Sequence, residues 1–116
     1  MTLPGPMGPT RLDCECLLAP GRRLVVVREL GMDDRYGEAT ILVCELCGRH
    51  WLRYLHELEA FSCSGRWYLG HISADAAAAL TAGEAAPALE RLAWYYFGGS
   101  YFGGKTGRSG GALSLR

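Results

Sequence analysis

An α+β fold, a small antiparallel sheet with a C-terminal helix or helices packed on it, is predicted by three features of the sequence. β-branched and aromatic runs broken by turn signals occupy residues 22 to 72, a helix-forming stretch opens at Ser73, and two close cysteine pairs bracket the first two runs. The 116 residues suffice for one domain, and 49% hydrophobic with 21% charged residues excludes wholesale disorder. So short a chain buries a modest share of its surface and gains from an added staple.

The elements follow in order. Residues 1–11 hold three of the five prolines and are expected to form an irregular arm. Pro20-Gly21 signals a turn, Arg22 to Leu30 a strand, Met32 to Glu38 a loop and Ala39 to Val43 a second strand. Residues 49–58 carry Trp51, Leu52, Tyr54, Leu55 and Leu58 at a spacing that also suits a helix, but a strand leaving Cys47 fits the context better. Ser62 to Gly65 reads as a turn and Arg66 to Ile72 as an aromatic strand, giving three or four strands in all.

Ser73 then offers an N-cap, Asp75 suits the first turn, and Ala76 to Leu80 is strongly helix-forming, with Gly83 expected to end the helix. Thr81 and Glu84 have capping-box spacing for a second helix, although Pro87 would sit better in a first turn. Leu89, Leu92, Ala93 and Tyr96 recur on one helical face, which predicts a helix running to Gly98-Gly99. Residues 12–97 therefore form the expected domain and 98–116 a glycine-rich tail.

The five cysteines carry the chemistry. Cys14-Glu15-Cys16 is a C-x-C pair and Cys44-Glu45-Leu46-Cys47-Gly48 a C-x-x-C-G pair. A C-x-x-C turn lets two thiolates converge on one cation, and the following glycine lets the chain reverse. Cys14, Cys16, Cys44 and Cys47 together supply the four sulfurs that suit tetrahedral Zn²⁺, and the 27 positions between the pairs are enough for a β-hairpin that joins them. Two other readings stay open: Cys14 and Cys16 on a floppy N-terminal arm with Cys44 and Cys47 a buried pair of small hydrophobes, and a redox C-x-x-C, for which no βαβ unit is visible. Cys63 reads as a free thiol in a turn, with replacement of a first-pair ligand as its alternative. His50, three residues after Cys47, reads as a solvated or hydrogen-bonded strand histidine before a fourth ligand.

On these motifs, residues 12 to 72 resemble the zinc-ribbon proteins, in which two cysteine knuckles close one end of a small antiparallel sheet. The second knuckle carries the resemblance, and the first departs from C-x-x-C by one residue. The resemblance implies a zinc-ribbon-like sheet, and it makes nucleic-acid binding the alternative to a protein-binding role.

Gly99-Ser100-Tyr101-Phe102-Gly103-Gly104-Lys105-Thr106 fits the phosphate-loop pattern, but residues 107–116 are too glycine-rich for the helix that chemistry requires, so no nucleotide is expected. The aromatic residues 94–97 and 101–102 are expected in the core ahead of an exposed patch. Twelve basic and twelve acidic side chains balance, which argues against bulk nucleic acid or an anionic membrane as the dominant partner. No apolar run approaches about 18 residues, and residues 1–9 lack the features of a secretory signal, so a cytoplasmic location is expected. Residues 29 to 60 hold seven acids against Arg35, Arg49 and Arg53, a local −4. The expectation is a non-enzymatic protein with one structural Cys₄ zinc that binds a protein partner. Nucleic-acid binding would instead need Arg22, Arg23, Arg28, Arg49 and Arg53 on one face beside exposed Trp51 or Tyr54.

Overall fold

A computed structural model describes residues 14–57 and 62–115. The expected N-terminal arm, and Leu58 at the end of the expected third strand, lie outside the described residues. Six strands, β1 (Leu24–Met32), β2 (Glu38–Cys44), β3 (His50–His56), β4 (Arg66–Ile72), β5 (Tyr95–Gly98) and β6 (Gly107–Ser109), form one antiparallel sheet in chain order. Among the described residues three helices accompany it: α1 (Glu15–Leu18), α2 (Ala74–Ala79) and α3 (Ala82–Glu90). The α+β class is as the sequence predicts.

Strand rather than helix holds for residues 50–56, where Trp51, Leu52 and Tyr54 are all fully buried and pair across β2 and β4. Alternate side chains enter opposite faces of the sheet, and both faces of β3 carry buried residues, so the burial does not alternate and imitates a helical pattern. The expected extents of the sheet and of the last helix are corrected. The sheet has six strands, not three or four, and the last helix stops at Glu90 rather than running to Gly98-Gly99. Leu89, Leu92 and Tyr96 do pack inward, but the chain turns at Arg91, and Tyr95–Gly98 gains β4 as a hydrogen-bonding neighbour. Aromatic residues favour strands, and here pairing outweighed a coincidental helical spacing. The glycine-rich segment after it adds a 3₁₀ turn (Ser100–Phe102) and β6.

The helix termini follow local rules, with one exception. Ser73 accepts a hydrogen bond from the Ala76 amide, and the Thr81/Glu84 capping box opens α3 at Ala82. Gly83 lies inside α3 and ends nothing; α2 ends earlier, at Leu80, and Arg28 donates to the terminal carbonyls of Ala77 and Leu80. Pro87 sits in the interior of α3, which forgoes one backbone hydrogen bond there.

The two helices cover one face of the sheet. Ala85 and Leu89 of α3 meet Ile41, Leu52, Tyr54 and Tyr68 beneath them. A Cβ on Gly70 would come within 2.4 Å of a Leu92 methyl and 2.6 Å of a Leu89 methyl, so glycine here lets that packing close. The last described residues lie on the same side, where the Ser114 carbonyl accepts from Arg66 and Tyr68 and the Leu113 amide donates to Glu90. The opposite face holds a second cluster: Leu42, Cys44, Trp51, Leu69 and Tyr96, with Cys16 from α1 laid over them. No helix among the described residues is long and apolar enough to cross a membrane.

Candidate metal centre

The second cysteine pair occupies the β2–β3 hairpin. Cys44 ends β2, its amide donates to the Arg49 carbonyl, and the Gly48 amide returns to the Cys44 carbonyl at 2.9 Å. Gly48 has φ +79°, a left-handed turn that glycine adopts freely, as the C-x-x-C-G pattern predicts. The first pair is placed differently. Cys14 is the N-cap of α1 and Cys16 lies within that single turn, so the C-x-C spacing is a helix start and not a second hairpin knuckle. The β1–β2 hairpin between the pairs brings them together. Arg23 ties the two ends, its carbonyl accepting from the Glu45 amide and its guanidinium facing Glu15 at 3.5 Å.

The result is a four-sulfur cluster. Cys14, Cys16, Cys44 and Cys47 place their Sγ atoms within 4.8 Å of one another, with Cys14–Cys44 and Cys16–Cys47 each at 3.6 Å. A disulfide needs about 2.05 Å, whereas the edge of a tetrahedron with Zn–S bonds of about 2.3 Å is about 3.8 Å. The cluster can therefore hold a metal ion. Cys16 and Cys44 are buried, Cys14 is half-buried and Cys47 is exposed.

The electrostatics separate the sulfurs. Burial pushes the Cys16 thiol up to about 12, and the neighbouring sulfurs add to the rise. At Cys14 a hydrogen bond from the Cys16 backbone lowers the thiol, but burial and the sulfurs of Cys47 and Cys44 outweigh it and the net shift is upward. Burial also opposes the Cys47 thiolate, yet hydrogen bonds from the Arg49 backbone and guanidinium prevail and bring Cys47 down to about 6. The Arg49 Nη1–S distance is 3.1 Å. A bound dication would provide the positive charge that the remaining thiols lack, because a coordinating thiol is deprotonated outright.

Further residues support the cluster, and the sequence reading assigned none of them this role. Tyr96 Oη donates to the Cys16 carbonyl at 3.3 Å, and Arg108 donates to the Leu17 carbonyl while lying 4.1 Å from the Trp94 ring centroid. Trp51 stacks on Tyr96 at 5.9 Å and meets Trp94 edge-on at 6.3 Å. Arg49 is detectable in sequence by its place two residues after Cys47. Arg108 has no local signal, being 91 residues from the carbonyl it holds.

Other predicted residues fall elsewhere. Cys63 is an exposed thiol outside the cluster, in a turn with φ +55°. His50 opens β3 opposite Val43 and Ile72 and does not join the sulfurs. The phosphate-loop pattern at 99–106 forms the link between the antiparallel strands β5 and β6, and a strand follows it where phosphate binding needs a helix. Trp51 and Tyr54 are fully buried, so neither offers a stacking face. The arginines are dispersed: Arg22 and Arg23 face Glu15, Arg28 caps α2, and Arg49 serves Cys47. Of the aromatic residues, Tyr95 and Tyr96 are buried, Trp94, Phe97 and Phe102 are half-buried, and Tyr101 is exposed. Comparison with known proteins finds no matching family, no similar curated protein and no similar solved structure.

Proposed function

We propose that this chain is a non-enzymatic zinc protein in which one Cys₄ site staples α1 and the β2–β3 hairpin to the sheet, and that it works by binding a protein partner. The observation that supports zinc is the sulfur geometry: four Sγ atoms within 4.8 Å, two pairs at a tetrahedral edge length. Four thiolates fill a tetrahedral zinc and leave no open position for a substrate or an activated water, which is why the role is structural. α1 is one turn long, far below the length at which a helix holds itself, so it needs an external tie.

Elemental analysis of purified protein, with thermal melts before and after a strong chelator, tests this reading. One zinc per chain and a large loss of melting temperature on chelation are expected. Cys14→Ser and Cys47→Ser should each lower both zinc content and stability, because zinc binding energy is folding energy. Unchanged zinc content and melting in both variants would overturn the Cys₄ assignment.

A further inference from the structure

The sheet face that carries the cysteine cluster is only partly covered. Beyond α1 lies a groove of about 160 Å³ lined by Gly21, Leu24, Leu42, Arg53, Trp67 and Leu69. This is below the roughly 300–1,000 Å³ of small-molecule sites and suits one or two anchoring side chains. Its walls are apolar, except for Arg53.

Arg53 is anomalous there. Its Nε is buried without a hydrogen-bond partner, and among the described residues its guanidinium makes no ion pair. The strand register places Thr40 beside it and Glu29 one strand further out, at the sheet edge. A buried Nε without an acceptor is costly, and the planar guanidinium fork that carries it matches a carboxylate. Leu24, Leu42, Trp67 and Leu69 around it match an aliphatic or aromatic side chain. Val26, which shares this face through its pairing with Leu42, is 49% exposed and extends the apolar surface to the edge. A polyanion fits less well, because Glu29, Glu38 and Glu45 stand on the neighbouring strands and turn.

We propose that this groove is the docking surface for a protein segment that presents a carboxylate beside an aliphatic or aromatic side chain, with Arg53 as its anchor. The proposal rests on the partner-binding reading above and gives that partner a chemistry.

Nuclear magnetic resonance titration of the zinc-loaded full chain tests it, with the peptide acetyl-Gly-Glu-Leu-Glu-Phe-amide as probe and its Gln-for-Glu counterpart as control. The acidic peptide should shift Leu24, Leu42, Arg53, Leu69 and the Trp67 indole. It should also bind at least about ten-fold tighter than the control, the scale of one charge-assisted bidentate pair. Arg53→Gln should reduce the acidic peptide to the control's affinity with zinc content unchanged and melting no lower, whereas Arg53→Lys should retain part of the difference. Equal affinities, shifts confined to other surfaces, or nuclear Overhauser contacts showing the groove filled by residues 1–13 or by a second copy would overturn the proposal. So would an oligothymidylate that shifts the same residues more strongly than the acidic peptide. Zinc content measured on the same samples keeps the two readings apart: a zinc-replete protein that ignores the peptide disproves the docking surface and leaves the metal site standing.

Discussion

The two faces of one sheet are closed by different means. On one face α2 and α3 supply Ala77, Ala85, Ala86 and Leu89 to a core over β2, β3 and β4. Both helices carry local start signals, and their packing surface is continuous in sequence. On the other face the cover is a single helical turn, α1, where sulfur atoms from two separate segments gather and Arg108 reaches in from the distant β6. A turn of four residues cannot hold itself in water. The side of the molecule with the least self-sufficient secondary structure is the side that carries the four-sulfur cluster, which is where a bound metal would do most to hold a small chain together.

Three substitutions break or sharpen the contrast. The largest effect is expected from Leu89→Ala on the helix-covered face. Leu89 is fully buried against the Gly70 position, and its truncation should cost about 2–5 kcal/mol in chemical denaturation, with metal content unchanged. A concurrent loss of zinc would show that the faces are not independent. Arg108→Ala comes next. It removes the hold on the Leu17 carbonyl and the cation resting on Trp94, at about 1–2 kcal/mol. Hydrogen exchange should rise at α1 and leave α3 protected; equal loosening of both would erase the contrast.

The smallest effect concerns His56 on the helix-covered face, which is 3% exposed with Nδ1 unpartnered. Burial, together with the charge of Arg66, holds its folded pKa below the ordinary value of 6.5. A depressed histidine resists protonation in the native state, so its stabilising share is complete above the unfolded value and is lost as pH falls through the folded one. The stability difference between wild type and His56→Gln should therefore move against the wild type as pH drops below 6.5. A difference constant with pH would show that His56 is not held neutral. Zinc release in acid affects both proteins and cancels in the comparison.

Much of the helix-covered face was legible in sequence because its signals are local. The Ser73 cap, the Thr81/Glu84 box and the strand at Arg66–Ile72 each depend on neighbours a few positions apart. The extent of the sheet was not legible. Tyr96 falls at a helical interval from Leu89 and Leu92, and only the availability of β4 as a hydrogen-bonding edge decides that residues 95–98 become β5. Gly107–Ser109 has no strand-like composition and joins the sheet because β5 is already in place beside it.

The candidate centre divides in the same way. Cys44, Cys47 and Gly48 announce a hairpin knuckle, since the turn geometry is encoded within five residues. Cys14 and Cys16 are recognisable as a pair, but their position at the start of a helical turn is not, because a spacing of two suits several backbones.

By itself the sequence determined the α+β class, four of the six strands, the N-terminal caps of α2 and α3 and the four cysteines that could share one metal, all of which depend on short-range pattern and residue chemistry. The tertiary structure alone decided the fifth and sixth strands, the burial of Trp51 under α1, the reach of Arg108 to Leu17 and the Arg53 groove. Each of these requires residues tens of positions apart to meet, and a contact of that kind is set by how the sheet closes and by nothing the neighbouring residues encode.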